Sequence, residues 1–163
     1  MMLFRQTRLH GVFEIDPEPY PDERGFAAVC WSQDESNRHG LNPKLVRCNL
    51  SFNSRKRTLG GMRCQAPPYK QAKLVRCTRG PIYDVALELR PQSSTLKERT
   101  APLLTSSHRN MICVPGGCAH GFPNLEGDSE VFYQMSESYH PESTRGDDGT
   151  IRHSALIGRR KQK

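Results

Sequence analysis

Residues 73–90, KLVRCTRGPIYDVALELR, decide the fold. Two apolar runs flank a Gly80-Pro81 turn, and the second alternates. Tyr83, Val85, Leu87 and Leu89 share one face, and Ile82, Asp84, Ala86 and Glu88 share the other. A period of two marks a β-strand, because successive side chains leave the pleat on opposite sides. The face of Tyr83, Val85, Leu87 and Leu89 is expected to pack inside the protein. The opposite face sets Asp84 among small and apolar neighbours.

The pattern extends in both directions. KLVRCNLSF (44–52), NMICV (110–114) and EVFYQM (130–135) are further short runs rich in aliphatic, β-branched and aromatic residues. Turn clusters separate them, among them PEPYPDERG (17–25), APPYKQ (66–71), RPQSS (90–94), VPGG (114–117) and RGDDG (145–149). Only QDESNRHG (33–40) reads as helix, for one or two turns. Roughly eight to ten short strands with tight turns imply an all-β antiparallel barrel of the jelly-roll kind.

The chain of 163 residues is expected to form a single domain, residues 1–163. No stretch approaches the ~20 apolar residues of a bilayer span, and the opening MMLFRQTRLHG lacks a signal peptide's apolar core. A cytoplasmic protein without a membrane partner is expected. Lysine and arginine total 24 against 17 acids, for a net charge of +7, which favours anionic ligands. The cations form no continuous basic element: Arg55, Lys56 and Arg57 cluster, and Arg159, Arg160, Lys161 and Lys163 sit in a tail expected to fray. No nucleic-acid partner is expected from so scattered a charge.

Six cysteines show no C-x-x-C pair, and Cys48, Cys64 and Cys77 fall in strand-like runs, where a thiol packs as a small hydrophobe. They are expected to be reduced. Cys113, Cys118 and His120 lie close in sequence, but their spacing matches no zinc ribbon, so neither metal nor other cofactor is expected.

Residues 114–124, VPGGCAHGFPN, carry a sharper signal. Pro115, Gly117, His120 and Asn124 stand as P-x-G-x-x-H-x-x-x-N, which resembles the second motif of the cupin superfamily. That resemblance implies a cupin jelly-roll with His120 pointing into the barrel. Metal-binding cupins supply an H-x-H from an earlier strand. The matching strand here, GGMRCQ (60–65), contains no histidine, and one imidazole does not hold a transition metal.

Within that superfamily the chain resembles the dTDP-4-dehydrorhamnose 3,5-epimerases. DERGF (22–26), NLS (49–51), QAPP (65–68), the block 73–90, VPGGCAHGF (114–122), FYQ (132–134) and YHP (139–141) match in order and at family spacing. Enzymes of this family take a proton from carbon beside the 4-keto group of a nucleotide-diphosphate sugar and return it on the other face. Such chemistry needs a base and an acid on opposite sides, donors for the enolate and cations for the diphosphate. The resemblance implies substrate contacts from Arg24, Phe26, Asn49, Gln65 and Lys73, with Lys73 also able to stabilise enolate charge. It implies Tyr133 as acid, a His120–Asp84 pair in the site, and a homodimer joined through sheet edges.

The sequence also departs from the family. The base is a histidine in an L-R-G-L-H-Y-Q strand, and here LGGMRCQ (59–65) places Arg63 at that position and Gly60 where an arginine resembling a phosphate clamp stands. A guanidinium stays protonated, so Arg63 does not abstract a proton. The aspartate that partners the base has no counterpart in IRHSAL (151–156). Val29 replaces a glutamate on the thymine, Arg47 replaces a glutamine, and Ser138 replaces an aromatic. Two readings stand: Arg47 or Arg63 now grips phosphate by bidentate contact, or the site has drifted after catalysis was lost. The first gives an epimerase or isomerase of a 4-keto-6-deoxy nucleotide sugar with altered substrate or much reduced activity. The second gives a non-catalytic cupin that binds a sugar nucleotide or a partner protein.

Overall fold

The structure, a computed structural model, describes residues 1–146. The stretch 151–156 and the basic tail 159–163 lie outside the described residues. The chain opens with strands β1 (Met2–Gln6) and β2 (Phe13–Pro17), then a hairpin of β3 (Pro19–Asp22) and β4 (Gly25–Ala28). Helix α1 (Gln33–Arg38) leads to β5 (Arg47–Asn53), β6 (Leu59–Gln65) and β7 (Lys73–Arg79). Then come β8 (Pro81–Tyr83), β9 (Val85–Glu88), β10 (Arg99–Thr100) and β11 (Leu103–Thr105). β12 (Met111–Val114), β13 (Cys118–Pro123), β14 (Ser129–Met135) and the short β15 (Thr144–Arg145) follow.

Two antiparallel sheets face each other. One has the order β1-β2-β12-β7-β14-β5, and the other the order β10-β9-β13-β6-β15. The main core lies between them, where Val75, Cys77, Ile112, Val114 and Val131 of the first sheet meet Ala86, Cys118 and Phe122 of the second. The expected jelly-roll architecture is present. Helix α1 is as short as its sequence suggested. The Ser32 hydroxyl caps it by accepting from the Glu35 N–H at 3.3 Å. It is joined to the outer side of the first sheet, where His39 stacks on Phe4 at 4.0 Å. A satellite core of Met2, Phe13, Ile15, Met111 and Cys113 packs on that side.

The alternation in residues 82–89 is present, but its meaning differs from the sequence reading. Val85 and Leu87 are buried in a small cluster with Met62 and Ala119, while Tyr83 on the same face is 44% exposed. The opposite face (Ile82, Asp84, Ala86 and Glu88) is fully buried and lines the interior. Both acids of this segment therefore point into the protein. Cys48 is also corrected: it is exposed on β5 rather than packed, whereas Cys77, Cys113 and Cys118 are buried. All six thiols are unbridged.

Glu88 shows how an interior acid is accommodated. Its carboxylate accepts from the Arg90 backbone N–H at 2.9 Å, from Arg90 Nε at 2.8 Å and from the Ser93 hydroxyl at 3.1 Å. Burial alone would raise this carboxyl, but the bonds from Arg90 and Ser93 outweigh it and hold it down at about 2. A depressed carboxyl stabilises the fold above its unfolded value of 4.5 and loses that contribution as pH falls toward 2. The contribution at neutral pH is on the order of 3 kcal/mol. Glu88→Gln is accordingly expected to lower urea-unfolding stability by about 3 kcal/mol at pH 7. The gap between the two proteins should close as the measurements are repeated from pH 4.5 toward 2.

Candidate active site

The register between strands assembles the site. Tyr133 on β14 pairs with Asn49 on β5 and with Val75 on β7, and Met135 pairs with Arg47 and Lys73. Directly paired residues share a sheet face, so Arg47, Asn49, Lys73 and Tyr133 all project to the inner side. Arg63, Cys64 and Gln65 of β6 stand on the other wall of the same cleft, which has a volume of about 240 Å³. Six residues expected at the site are thus brought together: Arg47, Asn49, Arg63, Gln65, Lys73 and Tyr133.

Short bonds order this group. Arg47 Nε donates to Asn49 Oδ1 at 2.9 Å, and Asn49 Nδ2 donates to the Tyr133 hydroxyl at 3.4 Å. The Arg47 guanidinium also lies 5.7 Å from the centre of the Tyr139 ring, close enough for cation–π attraction. Three cations line the cleft, and no Asp or Glu does among the described residues. A concave wall of one sign concentrates anions. Burial pushes the Lys73 ammonium down to about 8; Cys64 and Asp84 oppose this, and the Arg63 cation adds to it.

His120 and Asp84 lie on the interior face beside Arg63 and are bonded to each other. His120 is 6% exposed, and its Nε2 lies 2.8 Å from Oδ2 of the fully buried Asp84. This bond fixes the orientation of the imidazole ring. His120 also pairs with Arg63 across the β13–β6 ladder, which places the imidazole beside the guanidinium's strand. The imidazole is not among the groups lining the cleft.

Gln65 has a different task from the sequence expectation of a substrate contact. Its Nε2 donates to the carbonyls of Tyr69 at 2.9 Å and Ser138 at 3.0 Å, and its Oε1 accepts from the His140 N–H at 2.7 Å. Both amide hydrogens are used, and the side chain is buried. Gln65 therefore ties down the turn that carries Tyr139. Ser138 contributes a carbonyl to this turn, while Tyr139, one residue on, brings an aromatic ring to the cleft.

Arg24 and Phe26 are not brought to the cleft. Arg24 pairs with Asp22 at 2.8 Å at the exposed tip of the β3–β4 hairpin. Phe26 stacks under Arg109 at 4.4 Å and shares a surface pocket with Arg76 and Thr78. Arg76 pairs with Phe132 and alternates with Val75, so that pocket lies on the outer face of the sheet whose inner face carries Lys73. Gly60 pairs with Phe122, and a Cβ built there would meet the Phe122 ring at 3.0 Å. Cys64, Gln71, Tyr139 and Thr144 line the cleft without having been singled out as site residues. Tyr139 was signalled by its YHP motif, and the other three carried no local signal.

No cluster of three His, Cys, Asp or Glu side chains close enough to hold a metal occurs among the described residues. No helix among them is long and apolar enough to cross a membrane.

The sequence model of the dTDP-4-dehydrorhamnose 3,5-epimerases matches residues 6–152. The Methanothermobacter thermautotrophicus protein named dTDP-4-dehydrorhamnose 3,5-epimerase is 38% identical over 143 residues, covering 88% of this chain and 76% of that protein. The Bacillus anthracis epimerase, solved with TDP and PPi bound, superposes with a TM-score of 0.85 at 29% identity, over 90% of this chain and 83% of that one. The Legionella pneumophila epimerase, solved with dTDP-4-keto-L-rhamnose, gives 0.82 at 29% identity, over 90% and 77%.

Replacing Gln65 by alanine should cost about 2 kcal/mol of stability, since two carbonyls and an N–H of the turn lose their part-buried partner. Hydrogen exchange at the His140 amide should speed up more than exchange in the β9–β13 ladder. Equal acceleration in both places would show that Gln65 does not act on this turn.

Proposed function

Because the chain belongs to the dTDP-4-dehydrorhamnose 3,5-epimerase family, we propose that it is an epimerase of a 4-keto-6-deoxy nucleotide sugar working in deoxysugar biosynthesis, with altered substrate or much reduced activity. The carrying observation is the cleft in which Tyr133, Asn49 and Lys73 converge with two further cations. Tyr133 serves as the acid. Its hydroxyl is placed by Asn49, which Arg47 holds in turn. Arg47 and Arg63 supply charge for the diphosphate or the enolate, and Asn49 supplies a donor to the sugar. The His120–Asp84 pair braces β13 against the segment between β8 and β9 and sets the local field. Gln65 acts through the Tyr139 turn.

Arg24 and Phe26 face away from their own chain's cleft. We assign them to the cleft of a second copy, which makes the active form a homodimer. Leu50, 61% exposed, and Phe52, 54% exposed, support this assignment, because they lie on β5, the open edge of the six-stranded sheet. An apolar open edge invites pairing with another chain. One domain built on the shared core and a cytoplasmic place, consistent with six unbridged thiols, complete the reading.

Solvent deuterium should enter C3 or C5 of the 4-keto sugar of dTDP-4-keto-6-deoxyglucose or of a related 4-keto nucleotide sugar. Tyr133→Phe should slow the epimerisation at least ~10²-fold. No incorporation across such a panel by the unaltered protein would sink the assignment. Light scattering at micromolar concentration is expected to give twice the 18.5 kDa chain mass, and Phe52→Asp should reduce it toward one chain.

A further inference from the structure

We propose that Lys73, as the uncharged amine, is the proton acceptor of this site, and that Arg63 on the facing wall holds the oxygen of the enolate it forms. This rests on the 4-keto sugar reading above. Arg63 occupies the position from which a base would be expected, and it does not deprotonate. The remaining groups on the cleft wall narrow the choice. Asn49, Gln71 and Thr144 do not accept protons from carbon, and Gln65 spends its amide on the Tyr139 turn. Cys64 is held protonated by burial, which raises its thiol. His120 is buried with Asp84 on its Nε2, and its imidazole does not line the cleft. Lys73 lines the cleft, and its amine makes no hydrogen bond or ion pair among the described residues.

The geometry supports the assignment. Lys73 pairs with Met135, two residues from Tyr133, so Lys73 and Tyr133 are diagonal neighbours on one sheet face. The Cα atoms of such neighbours lie roughly 7–8 Å apart, within reach of one ligand for long side chains. A sugar ring standing on edge between the amine and the phenol would have each reactive group about 3–3.5 Å from one of its faces. One ring face then meets the amine and the other the phenol, as inversion requires. Arg63 reaches the ring's edge from β6, where the keto oxygen would lie.

The electrostatics follow from the same neighbours. Arg63 and Cys64 on β6 and Asp84 before β9 are the titrating or charged groups that act on Lys73, and Tyr133 and Arg47 share its wall. Burial and Arg63 leave part of the lysine uncharged near neutral pH. The cation that replaces the usual base thereby favours the amine that takes over.

The step balances. The Lys73 nitrogen takes the proton from the carbon beside the carbonyl, and the C–H electron pair forms the C=C bond. The carbonyl pair moves onto the oxygen beside Arg63. The Tyr133 hydroxyl then protonates that carbon from the other face, and the carbonyl reforms. The ammonium returns its proton to solvent, and the tyrosinate regains one. Nothing is oxidised or reduced.

The test is solvent deuterium exchange into the 4-keto nucleotide sugar, followed by NMR between pH 6 and 10, roughly two units either side of the Lys73 value of about 8. Exchange by the unaltered protein should rise with pH and reach half its plateau near 8. Lys73→Arg keeps the charge but not the acceptor, and should lose at least ~10²-fold in exchange while binding dTDP within a few-fold of the unaltered protein. Arg63→Gln should slow exchange and move the half-plateau upward, because the repulsion on Lys73 is gone. Acetylation of Lys73 in the unaltered protein gives a readout without turnover, with a midpoint near 8 instead of the ordinary lysine value of about 10.4. Exchange retained in Lys73→Arg with the same pH limb, or an acetylation midpoint near 10, overturns the inference and leaves the epimerase reading intact. Absence of exchange in the unaltered protein overturns that reading and this inference with it.

Discussion

Backbone contact between β6 and β13 sets most of what the site can do. A Cβ on Gly61 would lie 2.6 Å from the His120 carbonyl, and one on Gly121 would lie 2.7 Å from the Gly60 carbonyl. Only glycine permits such an approach, and Gly61 also has a φ of +95°, which favours glycine. The close contact fixes the register in which Arg63 stands opposite His120. Because β13 pairs with β9 on its other side, the same register lays His120 opposite Ala86, within reach of Asp84. The wall of the cleft and the buried pair beside it are therefore parts of one constraint.

The cleft's charge is the second governing feature. Three cations face one concave space, and burial weakens the hold of Lys73 on its proton. A concave surface carrying three cations favours a ligand that brings negative charge with it. The net charge of the whole chain points the same way but does not locate the site. The localisation comes from Arg47, Lys73 and Arg63, which arise from three strands and meet at one point.

Interior acids are treated in two ways. Glu88 is saturated with bonds from Arg90 and Ser93, so it is a fixed structural charge. Asp84 has one oxygen on His120, while Oδ1 has no hydrogen-bond partner among the described residues. An incompletely satisfied buried carboxylate is expensive, and it lies close enough to Lys73 to favour the charged ammonium. The first acid serves the fold, and the second serves the field around the cleft.

Much of this was legible in the sequence. The alternation of residues 82–89, the turn clusters and the VPGGCAHGFPN stretch specified strands, their breaks and the family, because those signals are local and depend only on side-chain period and turn chemistry. The substitution of Arg63 for a base was readable for the same reason. Other features depended on residues far apart in the chain. Which face of residues 82–89 became the interior, the placing of Arg24 and Phe26 away from the cleft, and the use of the Gln65 amide on Ser138 and His140 all needed the sheets to close. An alternating pattern defines two faces but does not say which one a second sheet will cover. Hydrogen-bond partners more than seventy residues apart, such as Gln65 and Ser138, leave no periodic trace. The sequence by itself determined the strands, the family and the chemical types at the site; the tertiary structure decided which of those groups share a cavity, because that depends on strand register and barrel closure.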